Sequence, residues 1–247
     1  MWEFCLSTYR LEVARFIYKS MKEELSDCQT VLTCYEKYNL FNIMFACPVE
    51  EQTRLTHLIE NIVIKVICSY YKDAFLKENL TILGHEKISL TAFKMALMNF
   101  DRETDLFIIS KNLELKNTLN LDSFYDFKLK ALRDKWGELV MLANENSEYL
   151  IGDDAFYDLL KFLVDNLEIR ENEISVFEKE NGYSIMADEC FESLNNEALV
   201  STLIELSPKK INFYCNKEDA TVDLLTKIFS ERIIVSYNKS MEKIFFR

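Results

Sequence analysis

Strand-like runs of apolar residues lie at the two ends of the chain, and helical periodicity fills the space between. Glu3 to Tyr9 predicts a short strand, and Leu11 to Glu24 a helix, with Val13, Phe16, Ile17 and Met21 on one face. Two runs dense in branched and aromatic residues, QTVLTCYE and LFNIMFAC, then face each other across KYN and predict a hairpin. Pro48 suits a first helical turn, and Glu50 and Glu51 suit its positive end. Leu55, Leu58, Ile59, Ile62, Val66 and Tyr70 continue as one stripe, so a long helix over 49–78 is expected to pack on the hairpin.

From about Asn79 the β signal stops. Helices are expected near 88–100, 104–117, 121–146 and 153–168, the last capped by Asp153 or Asp154. In AFYDLLKFLVDNL apolar residues cover most of the circumference, which predicts a helix enclosed by others at the centre of a bundle. Beyond Glu168, EISVFEKENGYSIM reads as strand, turn at Asn181-Gly182, strand. ALVSTLIEL then predicts helix, KINFYC strand, ATVDLLTKIF helix and RIIVSY strand. The last two strands are expected to lie parallel across a crossover helix. The expected class is therefore α+β and helix-rich: a central all-α bundle with short β elements, hairpins and a small mixed sheet at the N- and C-terminal ends. It divides into an α/β segment over 1–79, a helical bundle over 80–170 and an α/β segment over 171–247, packed as one or two domains. A single mixed sheet shared by both ends is one arrangement open to it.

With 247 residues, 49% of them hydrophobic and 13% aromatic, the chain can build a core unaided. Four Gly and two Pro leave no Gly-rich phosphate loop and no flexible linker. A formal charge of -12 repels phosphate backbones, and Lys209 and Lys210 are too few for a basic patch, so no nucleic-acid partner is expected. Seven cysteines form no CxxC pair and fit reduced thiols in a cytosol. The N-terminus shows no signal sequence, and the longest apolar run, Ile62 to Ile67, is interrupted by Lys65. A cytoplasmic protein is expected.

Three stretches carry a family resemblance: FYDFKLKAL at 124–132, LLKFLVDN at 159–166, and SPKKINFY followed by DLLTKIFSERIIV. In order and spacing across Leu121 to Val235 the chain resembles the YtxC-like sporulation proteins of spore-forming bacteria. Lys128 and Asn166 stand where that pattern has arginine and glutamine, GDDAF at 152–156 replaces a glutamate-rich approach, and Tyr214 replaces a histidine. The tail Ser236 to Lys243 lacks the cysteines of relatives, which removes a metal or redox role there. The resemblance implies a cytoplasmic protein of endospore formation and no established activity.

Within LDSFYDFKLKALRDKW, a continuous helix turning about 100° per residue places Phe124, Lys128, Ala131, Leu132, Lys135, Leu139, Leu142 and Ala143 on one apolar arc. Lys128 and Lys135 would both point coreward. Each would then need a carboxylate, with Asp154 and Asp158 on the next helix as partners, or a stem long enough to reach water. The polar cluster Lys128, Lys135, Asp154 and Asp158 is thus either a structural ion-pair group or a pocket for an anion. His57 and His85 are the only histidines, and both read as solvated. No catalytic residue, no cofactor and no metal site is assigned, since no His or Cys pair has ligand spacing. The acidic pairs at 153–154 and 178–180 read as capping and solvation. Tyr214 and Cys215 read as a strand end. The closing MEKIFFR mixes apolar and cationic residues as interfacial segments do, but is too short to hold a membrane alone. The expected function is binding a protein partner of unknown identity. The alternative is an enzyme or small-molecule sensor using the Lys128, Lys135, Asp154 and Asp158 cluster.

Overall fold

The computed structural model describes residues 1–26, 29–81, 85–149, 153–187, 190–217 and 219–237, and the side chains of 146–149 and 153–154 fall outside the description. The expected interfacial segment Met241 to Arg247 also lies outside the described residues. In chain order the elements are β1 (Trp2–Thr8), α1 (Leu11–Glu24), β2 (Val31–Lys37), β3 (Leu40–Cys47), α2 (Gln52–Val66), α3 (Lys72–Asn79), α4 (Lys87–Asn99), α5 (Arg102–Asn112), β4 (Thr118–Asn120), α6 (Leu121–Ser123), α7 (Lys130–Tyr149), α8 (Asp153–Asp165), β5 (Glu171–Lys179), β6 (Gly182–Met186), β7 (Cys190–Leu194), α9 (Asn196–Leu206), β8 (Pro208–Cys215), α10 (Ala220–Phe229) and β9 (Ile233–Tyr237). Two π-helical turns, Ile67–Tyr71 and Phe124–Lys128, interrupt the helical stretches that lead into α3 and α7. The class is α+β, with two small mixed sheets.

The chain folds into two compact units, one of residues 1–79 and 102–140 and the other of residues 80–101 and 141–247. The helices of 80–170, expected to form a bundle of their own, fall on both sides of this division. Each unit has its own sheet, so the termini do not share one.

In the first unit the sheet runs β2-β3-β1-β4. β4 pairs parallel with β1, through Cys5–Thr118, Leu6–Leu119 and Ser7–Asn120. The middle of the chain is therefore not all α: at three residues, β4 is too short to carry a strand period. The hairpin turns on Tyr38 and Asn39, both left-handed at φ 54 and 61, the geometry of a two-residue turn that follows strand twist. Phe4, Leu6, Ile43 and Phe45 on the sheet meet Val13 and Ile17 of α1 and Ile59 and Val63 of α2 in one buried core.

In the second unit the order is β7-β6-β5-β8-β9, with β5, β8 and β9 parallel. α10 crosses between β8 and β9, as the alternation of periods predicts. Ile174, Val176, Ile211 and Phe213 are buried. On the opposite sheet face, Phe177 stacks on Tyr214 at 5.0 Å, and Glu173 accepts hydrogen bonds from Lys210 and Asn212. α8 buries Phe156, Leu160, Leu163 and Val164 but leaves Phe162 exposed, so it packs by one face and is not enclosed all round. The β5–β6 turn falls on Glu180 and Asn181, one residue before the expected place, because Lys179 pairs with Gly182. Gly182 has φ +132, and a Cβ there would lie 2.4 Å from the Leu194 carbonyl oxygen. A side chain meets both backbone strain and a clash, so Gly182→Ala should cost about 2–3 kcal/mol of stability, read as a lower urea midpoint.

Candidate functional site

The polar interior of the first unit centres on two carboxylates, Asp105 and Asp122. Asp105 lies on α5, fully buried. Its Oδ2 accepts from Lys72 Nζ at 2.7 Å, and its Oδ1 accepts from Lys135 Nζ at 2.7 Å and Trp136 Nε1 at 3.1 Å. Lys72 is itself buried and lies 5.6 Å from the Trp136 ring centroid. Three helices, α3, α5 and α7, are thereby tied at one point. Burial holds the Lys72 pKa below its ordinary value, opposed by the Asp105 carboxylate. One turn before Lys72, burial pushes the Cys68 thiol up to about 11, and the charge of Asp105 adds to the rise.

Asp122 lies on α6, just after β4. Its Oδ2 accepts from the Tyr9 backbone N–H at 2.8 Å, and its Oδ1 from Tyr71 Oη at 2.8 Å and Arg10 Nε at 3.3 Å. It therefore sits past the carboxyl ends of the parallel pair β1 and β4, where α/β folds tend to place ligands. The Arg10 guanidinium lies 4.2 Å from the Tyr71 ring centroid. Tyr71 and Tyr125 each come from a π-helical turn, and their rings meet at 4.8 Å. Such turns recur at functional sites. Tyr125 in turn lies 6.1 Å from Trp136, so an aromatic chain runs from Asp122 to the Asp105 centre. Arg133 covers the Tyr125 ring at 5.5 Å and donates from Nη2 to the Asp126 carbonyl oxygen.

The sequence-predicted cluster is placed as follows. Lys128 is exposed, not coreward, because the π turn and the break at Leu129 (φ -104, ψ 34) interrupt the assumed continuous helix. Leu129, Leu132, Trp136, Val140 and Ala143 form the buried stripe, while Ala131 and Leu142 are exposed. Lys135 does meet a carboxylate, and that carboxylate is Asp105. Asp158 is exposed on α8 in the second unit, and the Asp154 side chain lies outside the description. His57 is exposed with Nδ1 3.2 Å from Glu60 Oε2; His85 stacks on Phe156 at 3.8 Å. Among the described residues, no group of three or more His, Cys, Asp or Glu side chains is placed to hold a metal ion, and no helix is long and apolar enough to cross a membrane.

Neither a protein-family model, nor a curated protein, nor a solved structure matches the chain. The arrangement has to be read from its chemistry. Asp105, Lys72, Asp122, Tyr71, Arg10 and Tyr125 escaped sequence reasoning. The one available signal was phase, since Lys72 and Asp105 stand four residues from the apolar Cys68, Leu76 and Ile109.

Removing Asp105 strands two ammonium groups, one of them in a dry core. Asp105→Ala should therefore destabilise by about 3–5 kcal/mol, and pairing Asp105→Leu with Lys72→Met should recover most of the loss, both read by urea denaturation. The pH dependence separates by sign. Cys68 binds its proton more tightly folded than unfolded, so its contribution is full below the ordinary thiol value of 9.0 and is lost as pH rises toward about 11. Lys72, with its pKa lowered, acts in the opposite sense. The difference in unfolding free energy between wild type and Cys68→Ala should stay level at neutral pH and shrink between pH 9 and 11.

Proposed function

We propose that the chain works by binding a protein partner through the edge of its N-terminal sheet. β2 carries this reading. It is an edge strand of seven residues whose side chains are exposed or only partly covered. Val31 is 61% and Tyr35 46% exposed, and Tyr38 at the hairpin tip is 89% exposed in a left-handed conformation unusual for an aromatic residue. Edge strands are ordinarily guarded by charge, proline or a bulge. Val31 to Tyr35 has no charge and no proline, and its pairing with β3 runs without a register shift.

The hairpin fixes which groups are free. Lys37 pairs with Leu40 directly across the two-residue turn, so Val31, Thr33, Tyr35 and Lys37 direct their N–H and C=O groups to β3. Leu32, Cys34 and Glu36 direct theirs outward. An extended, uncharged segment of another protein adds to such an edge as a further strand, with Val31, Tyr35 and Tyr38 giving side-chain grip. The resemblance to YtxC-like proteins is what supports the reading that this binding belongs to the cytoplasm and to endospore formation. The alternative of an enzyme or sensor built on Lys128, Lys135, Asp154 and Asp158 draws no support from Lys135, which is held by Asp105.

Proline at Cys34 removes an outward N–H and leaves the β3 ladder intact. Affinity capture from sporulating cells should yield a protein with the wild-type chain that is lost with Cys34→Pro, while circular dichroism of the two chains stays the same. Equal capture by both would overturn the edge as the binding site, and identical capture from vegetative cells would overturn the link to sporulation.

A further inference from the structure

We infer that a second copy of this chain occupies the β2 edge when no other partner holds it, the two β2 strands running antiparallel across a two-fold axis at Cys34. This rests on the reading of β2 as an open edge and adds that the edge is complementary to itself. β2 spans Val31–Lys37, and all of its residues except the partly covered Leu32 are exposed. Val31, Thr33, Tyr35 and Lys37 spend their backbone groups on β3, so two copies can pair only through Leu32, Cys34 and Glu36.

One register uses the whole strand. With Cys34 opposite Cys34 of the second copy, Leu32 meets Glu36 as a hydrogen-bonded pair, while Thr33 meets Tyr35 and Val31 meets Lys37 as the closer, non-hydrogen-bonded pairs. No like charges come opposite one another. The stem of Glu36 lies along a leucine and that of Lys37 along a valine, and Thr33 against Tyr35 sets a β-branched residue beside an aromatic one. Every other axis shortens the overlap, and an axis at Glu36 would set two carboxylates face to face.

The same pairing stops at two copies. It joins the two N-terminal sheets into one with β2 at its centre, and the edges that remain are the two β4 strands, each only three residues long. Charge limits its strength. Two chains of net charge -12 repel at long range, whereas β2 itself is neutral, with Glu36 and Lys37 its only charges. A neutral seam between repelling bodies makes a weak dimer, whose edge an uncharged partner strand gains by displacing the second copy.

The test is sedimentation equilibrium of the purified 247-residue chain from about 1 to about 500 μM, where a reversible dimer should appear. Val31 is 61% exposed, so Val31→Lys should leave the circular dichroism unchanged. It opposes Lys37 at both ends of the seam and should weaken the dimer about tenfold, and adding Lys37→Glu should restore it. A short bis-maleimide should join Cys34 to Cys34 in the wild-type dimer. A monomer at every concentration overturns the inference, as does a dimer that Val31→Lys leaves unchanged, that Lys37→Glu fails to restore, or that is cross-linked only through other cysteines. The partner reading fails separately. A monomeric chain that loses its captured protein with Cys34→Pro keeps the edge and loses the dimer; a dimer abolished by Cys34→Pro beside equal capture keeps the dimer and removes the partner from the edge.

Discussion

A carboxylate shut off from water keeps its charge only if donors replace the water it has lost, and Asp105 has three of them from two other helices. The cost of leaving that group unpaired is what ties α3, α5 and α7 into one arrangement. Apolar packing alone tolerates a helix sliding or rotating by a fraction of a turn, because one methyl group replaces another at little cost. A buried ion pair at 2.7 Å does not. Lys72 must arrive with its ammonium at Oδ2, Lys135 with its own at Oδ1, and Trp136 with its indole N–H beside it. The arrangement carries two positive charges against one negative. The side chain of Lys135, 23% exposed, still reaches water, and the closed part of the group is therefore close to neutral.

The two π-helical turns are the backbone's answer to that demand. Along α2 the buried stripe runs Leu55, Ile59, Ile62, Val66; continued at the α-helical period it would pass through Tyr70 and Asp73. After the turn at Ile67–Tyr71 the buried positions are Tyr71, Lys72 and Leu76 instead, and Tyr70 and Asp73 are only partly buried. At Phe124–Lys128 the phase also changes, and the stripe moves one residue on, from Lys128 to Leu129 and from Lys135 to Trp136. Beyond the two turns Lys72 is in the core and Lys128 outside it, and Tyr71 meets Tyr125. The aromatic contact between the turns and the ion pair behind them are two results of one change of phase.

That change of phase marks the limit of what the sequence makes legible. Periodicity places α1 over its observed span and finds both hairpins and the parallel pair β8 and β9, because each depends on local pattern or on a short turn. It also shows that a lysine near 135 needs a carboxylate. It fails on which carboxylate, since Asp105 is thirty residues away in the chain and only tertiary packing brings it near. It fails on Lys128 because the assumption of about 100° per residue holds only while the helix stays α. β4 and β7 escape for a different reason: strands of three and five residues are defined by the neighbour they pair with, β1 and β6 respectively, more than by their own composition.

The first unit's buried and half-buried polar groups tie distant elements to one another through two carboxylates. Asp105 and Asp122 each collect three donors, so mutating either strands charges that hold backbone elements together. Arg10 and Arg133 are anchored to the same elements, through Asp122 and Asp126, and their guanidinium groups lie over the rings of Tyr71 and Tyr125.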